Sequence, residues 1–330
     1  MRRALDLAAR GLGNTSPNPM VGAVIAGPDG HTIIGEGYHR RCGEAHAEVN
    51  AVASVSNPDL LAQSTMYVTL EPCSHQGRTP PCAKLIIDRR IPRVVVGASD
   101  PFPAVAGRGV KMLREAGVEV VTGVMAEESR RLNARFITAH ERQRPFVMLK
   151  WAQSADGFLD SDRAGGHAER FSTVLTSMLA HRQRSLSDAI LVGSGTALAD
   201  SPALDCRLWP GRSPQPVILD RRGRVGTPTT ALDPLLMRDH ADVPDLLARL
   251  YARGITSVMV EGGAEVLRSF AGSGLWDVAR IETASCRLGE HGRAEAPRVA
   301  GTVISARTAD GGNTITWLSN NPLVTDTKIF

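Results

Sequence analysis

Apolar positions along the chain recur with two periods, one near 3.6 and one near 2, and the switches between them mark out the elements. Leu5, Ala8, Ala9 and Leu12 lie at helical spacing, which predicts a helix over Arg2 to Leu12 ended by Gly13. Pro17-Asn18-Pro19 then forces an extended turn. Met20 to Ala26 and Thr32 to Gly37 are short β-like runs, and Gly27-Pro28-Asp29-Gly30 between them is a hairpin signal. A helix is expected over Ala45 to Val55, a strand over Met66 to Leu70, and a polar loop over Glu71 to Pro81. Then come a helix at Cys82 to Arg90, a strand at Arg93 to Gly97, a helix around Gly107 to Ala116, a strand at Val118 to Thr122 and one helical run from Ala126 to Ala139. Strands alternating with helices in this way predict a three-layer α/β/α domain.

The polar stretch His140 to Arg144, ahead of Pro145, is the expected boundary, dividing the chain into residues 1–144 and 145–330. Beyond it Phe146 to Ala152 reads as a strand, Thr173 to Ser185 as a helix, Ala189 to Val192 and Pro216 to Leu219 as strands, and Val243 to Arg253 as a helix. A strand at Ser257 to Val260, Gly262-Gly263, and a helix from Ala264 to Ala271 follow. Val278 to Leu318 reads as β-rich, and Ser319 to Phe330 as a frayed tail. This second half is again α/β, with no internal repeat and no low-complexity tract.

A length of 330 residues suits two cores of ordinary size. Hydrophobic content of 42% and charged content of 22% argue against disorder. The net charge of +4 is too small to imply a nucleic-acid partner but suits an anionic substrate, and 4% aromatics advertise no base-stacking platform. With no signal-peptide pattern at the start and no apolar run near membrane-spanning length, a cytoplasmic location is expected and no membrane partner. Cys42, Cys73, Cys82, Cys206 and Cys286 then read as thiols or metal ligands rather than disulfides.

The chemistry is carried by His46-Ala47-Glu48, by Pro72-Cys73 after a strand, and by Cys82. Hydrolytic deamination of an amino-heterocycle needs hydroxide at neutral pH, which zinc provides by lowering the pKa of a bound water to about 7. Two thiolates and an imidazole suit zinc, and three protein ligands leave a fourth position for water. Glu48, two residues beyond the histidine, can take the water proton and hand it to the ring nitrogen and the leaving ammonia. Base deaminases share the pattern H-x-E…P-C-x-x-C. Here eight residues, Ser74 to Pro81, separate the cysteines, and a helix starting at Cys82 would present its thiolate at a favourable dipole end. A closed structural zinc site would need a fourth ligand, for which His75 is the near candidate.

Pro17-Asn18-Pro19-Met20-Val21-Gly22, His46 to Ala51, and the long Val68-Thr69-Leu70-Glu71-Pro72-Cys73-Ser74-His75-Gln76-Gly77-Arg78-Thr79-Pro80-Pro81-Cys82 stretch resemble the RibD family of bifunctional riboflavin-biosynthesis deaminase/reductases. Val105 to Gly109 adds a further match. The resemblance implies a cytidine-deaminase-like first domain that removes the 2-amino group of 2,5-diamino-6-(5-phosphoribosylamino)pyrimidin-4-one. It implies zinc at His46, Cys73 and Cys82, the proton shuttle at Glu48, and substrate contacts from Asn18, His75 and Asp100. Phe102 stands where the family carries an asparagine, which removes an amide from that contact set.

The second half resembles the family's dihydrofolate-reductase-like domain through Lys150, Ser154-Ala155-Asp156-Gly157, Asp188 to Thr196, Leu198 to Leu204 and Val260-Glu261-Gly262-Gly263. The resemblance implies NADPH-dependent reduction of the ribosyl group to ribityl. It implies cofactor contacts from Phe171, Thr196, Asp200 and a Gly263 to Ser269 turn including Ala264, and substrate contacts from Lys150, Arg184, Leu204, Arg207 and Glu261. Physically, glycines at a helix N-terminus suit dinucleotide phosphates, and an arginine fork suits the sugar phosphate. Glu169 stands where the family has serine, Phe171 where it has tryptophan, and Ser201 within its D-D-P segment. An acid beside a phosphate repels it, so a deaminase with a degenerate reductase domain is one alternative, separable by NADPH consumption. An RNA-acting base deaminase or nucleic-acid-binding module is another, disfavoured by the lack of a basic stripe interleaved with aromatics and testable by retention on RNA. The partners expected are the phosphoribosylaminopyrimidine and further copies of the chain as a homo-oligomer, with no nucleic acid.

Overall fold

Gly37 shows how the first sheet and its helices fit together. A Cβ there would lie 2.5 Å from the Ala47 carbonyl and closer still to the Ala51 nitrogen. Only glycine lets the helix bearing those alanines close onto the strand. The computed structural model describes residues 1–74, 80–101, 106–163, 166, 168–226 and 233–330. They form two compact units, Met1–Arg142 and Gln143–Phe330.

In chain order the first unit comprises α1 (Arg2–Ala8), β1 (Gly22–Ala26), β2 (Ile33–Tyr38), α2 (Ala47–Ala53), β3 (Thr65–Leu70), α3 (Cys82–Asp88), β4 (Arg93–Ala98), α4 (Arg108–Glu115), β5 (Glu119–Thr122), α5 (Ala126–Leu132) and α6 (Ala134–Arg142). Its sheet runs β2-β1-β3-β4-β5. The expected hairpin pairs β1 with β2 antiparallel, β1 meets β3 antiparallel, and β3, β4 and β5 are parallel. Alternation along the strands feeds two faces. Val24 packs with Ala4 and Leu7 of α1, whereas Ala23, Ile25, Met66 and Val68 pack with Ala47, Ala51, Ala83, Ile86 and Leu113 of α2, α3 and α4. With α5 against β3, β4 and α1, the sheet lies between helical layers. The single helical run expected over Ala126 to Ala139 is in fact two helices, broken at Asn133, whose side chain is turned to the backbone of Met20.

The second unit comprises β6 (Phe146–Gln153), β7 (Phe158–Ser161), α7 (Val174–Ser185), β8 (Ala189–Gly193), α8 (Ser194–Asp200), β9 (Gln215–Leu219), β10 (Leu235–Met237), α9 (Val243–Ala252), β11 (Ser257–Val260), α10 (Ala264–Ser273), β12 (Val278–Thr283), β13 (Gly292–Glu295), β14 (Thr302–Thr308) and β15 (Thr314–Ser319). Eight strands run β10-β9-β8-β11-β6-β12-β15-β14. The first six are parallel, and the near-continuous apolar runs Phe146–Leu149 and Ala189–Val192 are what central parallel strands buried on both faces require. β15 and β14 return antiparallel, and β7 pairs with β13 in a separate ribbon.

Ser319 to Phe330 does not fray. Asn321, Val324 and Phe330 are buried, and the Phe330 ring stacks on Trp317 at 5.1 Å between centroids. Aromatic and polar anchors overcome the chain entropy that a polar sequence alone would leave unopposed. Arg182 donates to the Phe330 carbonyl, and Asn321 donates to Asp277 at 3.0 Å. Asp277 also takes a two-pronged ion pair from Arg144, at 2.7 and 3.0 Å. Arg144, expected in a polar boundary stretch, is therefore buried and fastens the start of β6.

Candidate functional site

β1, β2 and the helix between β2 and β3 position the first site. His46 is the N-cap of α2, in extended conformation, with its ring directed at two sulfurs. The segment ahead of it is pinned by Asn50, whose amide donates to the carbonyls of Tyr38 at 2.9 Å and Ala45 at 3.2 Å. Cys73 follows β3, and Cys82 opens α3 with its N–H donating to the Cys73 sulfur at 3.3 Å. Among the described residues, His46, Cys73 and Cys82 are the group whose donor atoms converge, all within 4.8 Å of one another. His46 Nδ1 lies 3.6 Å from the Cys73 sulfur and 3.4 Å from that of Cys82. Tetrahedral zinc with ordinary Zn–N and Zn–S bonds sets such atoms about 3.6 Å apart, so the spacing fits the ion.

The electrostatics point the same way. Hydrogen bonding from Cys82 and His46 lowers the Cys73 thiol to about 4, while the Cys82 thiol, hydrogen-bonded to Cys73 and buried, is pushed up. Two thiols this close oppose each other's ionisation, and a shared cation such as zinc relieves that opposition. Glu48, in the first turn of α2, is buried, and burial together with the Cys73 charge pushes its carboxyl up to about 7. That suits a group that takes and gives a proton near neutral pH. Cys42 is exposed and stands outside the converging set.

Asn18 is placed beside this site by a residue that sequence reasoning missed. His39, at the end of β2, is buried and meets the His46 ring edge-on at 5.4 Å between centroids. Its Nδ1 lies 3.2 Å from the Ala45 carbonyl and its Nε2 3.3 Å from the Asn18 amide. Burial lowers the pKa of the ring, so a neutral tautomer donating from Nδ1 and accepting the Asn18 amide at Nε2 satisfies both contacts. No motif flags His39, seven residues from His46. Asp100 is buried just beyond β4, and the Glu71 N–H donates to Ala98 at that strand's end. Glu71, also buried, accepts from the N–H groups of Gly107, Gly109 and Val110 at 3.0, 3.0 and 3.2 Å, docking the start of α4 against the Pro72-Cys73 segment. His75 and Phe102 lie outside the described residues.

In the second unit the expected residues fall into two groups. Arg184 of α7 forms a two-pronged pair with Glu261, which follows β11, at 2.8 and 2.7 Å. It also donates to the Asp205 carbonyl at 2.9 Å, bringing the Leu204 to Arg207 segment alongside. Leu204 is buried with φ of 53°, and Arg207 is paired with Asp205. Burial holds the Lys150 ammonium below its ordinary value, and burial would raise Glu261 but for the charges of Arg184 and Lys150, which bring it to about 2. In the other group, Thr196 of α8 accepts from the Gly263 N–H at 3.0 Å. The Gly263 to Ser269 stretch expected as a turn is the N-cap and start of α10, with Ala264 its first residue. Asp200 is held by Arg163 at 2.8 Å, Phe171 is buried, and Glu169 is exposed, its N–H donating to Asp160.

The family model described as the cytidine and deoxycytidylate deaminase zinc-binding region matches residues 1–98, and that of the RibD C-terminal domain matches residues 145–301. The chain is 38% identical over 320 residues to the riboflavin biosynthesis protein RibD of Bacillus amyloliquefaciens, covering 88% of this chain and 84% of that protein. It is 36% identical to the RibD of Escherichia coli, covering 89% of each. Among solved structures it is similar to Acinetobacter baumannii RibD, with a TM-score of 0.87, 31% identity and coverage of 96% and 97%. It is also similar to a diaminohydroxyphosphoribosylaminopyrimidine deaminase/5-amino-6-(5-phosphoribosylamino)uracil reductase of Thermotoga maritima, with a TM-score of 0.83, 36% identity and coverage of 97% of each chain.

Proposed function

The chain belongs to the RibD family, and on that footing we propose how its residues share the two reactions of a bifunctional riboflavin-biosynthesis enzyme, a zinc-dependent deaminase and an NADPH-dependent reductase. The observation that carries the reading is the convergence of His46 Nδ1 with the sulfurs of Cys73 and Cys82 beside the buried Glu48.

In the first unit, His46, Cys73 and Cys82 hold zinc. Zinc in this set supplies Lewis acidity that brings the ionisation of water down to about pH 7. Glu48 would relay the two protons of the attacking water in turn, the first to the pyrimidine ring nitrogen, which keeps it in the product, and the second to the amino group, which leaves as ammonia. The bond from C2 of the ring to its amino group breaks, a carbon–oxygen bond forms, and ammonia leaves. Asn18, His75 and Asp100 orient the pyrimidine, Asn18 through its contact with His39.

In the second unit, Lys150, Arg184, Leu204, Arg207 and Glu261 form the seat of the deaminated substrate, and Phe171, Thr196, Asp200, Gly263 and Ala264 that of the dinucleotide. The support is the Arg184–Glu261–Asp205 contact set and the Thr196–Gly263 bond at the start of α10, where backbone N–H groups favour an anion. NADPH supplies the hydride, and the chain's residues supply position and charge balance. The domains proposed for these activities are residues 1–144 and 145–330.

A homo-oligomer in the cytoplasm is the accompanying proposal. β14 is the last strand of the eight-stranded sheet and exposes Val303, an edge suited to a second copy, and all five cysteines are free thiols, as a reducing compartment favours. Among the described residues, no helix is long and apolar enough to cross a membrane. One assay tests the central reading: the purified protein is given the pyrimidine ribosylamine phosphate, and ammonia is followed first and NADPH absorbance second. Both signals are expected, in that order, and ammonia release without NADPH consumption would remove the reductase half.

A further inference from the structure

The second unit buries an ion pair that lies outside the residues proposed for either reaction. Arg280 and Glu282 stand two residues apart on β12, hence on one face of the sheet, and both are almost wholly buried. Arg280 sits opposite Lys150 in the parallel β6–β12 ladder, so the pair shares a face with the proposed substrate seat. Its guanidinium lies 3.5 Å from Glu282 and reaches the Thr176 carbonyl of α7 at 3.5 Å. A buried pair of this kind contributes little net stability compared with apolar side chains, so its contacts are where its use must be sought.

Those contacts converge on one segment. Ser172 donates from its hydroxyl to Glu282 Oε2 at 3.0 Å. Asn313, just ahead of β15, donates to Glu282 Oε1 at 2.7 Å and to the Phe171 carbonyl at 2.8 Å. Thr176, which closes the capping box of α7 with Thr173, also hydrogen-bonds the Glu282 carboxylate. Four elements therefore meet on one carboxylate: β12, the Phe171-Ser172 segment, the first turn of α7 and the approach to β15. No apolar side chain could hold Ser172 and Asn313 together in this way, whereas the Glu282 carboxylate accepts from each on a separate oxygen.

We propose that Glu282 is a positioning residue of the reductase site, fastening Phe171 and Ser172 to the sheet beside Lys150, with Arg280 balancing its charge. The inference rests on the reading that Phe171 touches the dinucleotide. Glu282 itself touches neither substrate nor cofactor. It acts by keeping Phe171 in one place, so the dinucleotide meets a preformed surface instead of ordering it on arrival.

The test uses the full chain, NADPH and the deaminated substrate. Phe171→Ala checks the underlying reading and is expected to raise the KM for NADPH. Glu282→Gln removes the charge while keeping the shape, and Ser172→Ala removes one contact only. They are expected to raise the KM for NADPH about tenfold and about threefold, the scale of a charge-assisted and a single hydrogen bond. In both, kcat at saturating NADPH is expected to stay within about twofold of wild type, since a loosened binding segment is restored by excess ligand. A merely structural role would instead reduce the active fraction, lowering kcat with KM unchanged. The double variant Arg280→Met with Glu282→Gln removes the buried charges together. It is expected to recover the melting temperature lost by Glu282→Gln without recovering the KM, which keeps the test decisive if the single variant folds poorly. Wild-type KM for NADPH in Ser172→Ala and the double variant, alongside a raised KM in Phe171→Ala, would overturn the proposal. Wild-type KM in Phe171→Ala would instead remove the reading on which it stands.

Discussion

Asn133 closes a ring with the backbone of Met20: its Oδ1 accepts from the Met20 N–H at 2.8 Å, and its amide donates to the Met20 carbonyl, also at 2.8 Å. The ring joins the break between α5 and α6 to the turn that delivers Asn18 to the first site. Replacing Asn133 with Ala leaves a buried N–H and a buried carbonyl without this partner, and each such group costs about 1–3 kcal/mol. Asn133→Ala is therefore expected to destabilise the first unit by about 2 kcal/mol or more. Denaturant unfolding of residues 1–142, followed within the whole chain by hydrogen exchange at β1 and β3, measures it. Unchanged protection there would show that the ring carries no strain or load.

The converging His46, Cys73 and Cys82 were legible because their chemistry and their spacing are local: a histidine two residues before a glutamate, and Pro72-Cys73 at a strand end. Most strands and helices were legible for the same reason, since periods of 2 and 3.6 are written within each segment. Asn133 was not, because Ala126 to Ala139 keeps a helical pattern through it and the partner that breaks the helix lies 113 residues away. His39, Glu282 and the Phe330 packing share that limit. Each is defined by contacts between distant segments, and a lone histidine, a glutamate in a β-rich run or a terminal phenylalanine has no local signature.

Glu48→Gln keeps the size and burial of the side chain but removes the carboxylate proposed to move the proton. Zinc content is expected to stay at one per chain by metal analysis, while ammonia release falls by about 10²–10⁴-fold, the range general acid–base catalysis supplies. Ammonia release within tenfold of wild type would take Glu48 out of the mechanism.

Cys73→Ser and Cys82→Ser each replace a thiolate with a hydroxyl that stays protonated at neutral pH, so both are expected to lose stoichiometric zinc. Prolonged chelation of the wild type should do the same. Ammonia release should vanish, and NADPH oxidation with externally supplied deaminated substrate should persist, because the proposed ligands and the proposed reductase residues lie in separate compact units. Loss of both activities on chelation would place a metal dependence in the second unit as well.

Burial would raise the Glu261 carboxyl, but Arg184 and Lys150 outweigh it and hold it at about 2, below the roughly 4.3 of an unfolded glutamate. A carboxylate depressed on folding contributes its full stability above the unfolded value and loses it as pH falls from about 4.3 towards 2. Arg184→Met leaves Glu261 buried without its two-pronged partner, and breaking a buried pair costs about 3–5 kcal/mol. The variant should be less stable than wild type at pH 7 in urea and lose less of its remaining stability as the pH falls from about 4.3 towards 2. Equal acid sensitivity in the two proteins would show that Arg184 does not set the ionisation of Glu261.

Gly107 and Gly109 belong to one short motif, yet they should respond differently to a methyl group. Gly107 has φ of +72° with nothing within 4 Å of its would-be Cβ, so Gly107→Ala meets backbone strain alone, about 1 kcal/mol. A Cβ on Gly109 would overlap the carbonyl oxygen of Pro72, the residue that precedes the proposed ligand Cys73, and would press on Glu71 at 3.3 Å. Relief requires the Pro72-Cys73 segment to shift, and a donor moved by a few tenths of an ångström no longer meets the 2.3 Å bond that zinc prefers. Gly109→Ala is therefore expected to weaken zinc binding at least tenfold in competition with a chromogenic chelator and to lower ammonia release in parallel, while Gly107→Ala keeps zinc affinity within about threefold of wild type. Equal zinc affinities in the two variants would mean that the contact between α4 and Pro72 does not position the ligand.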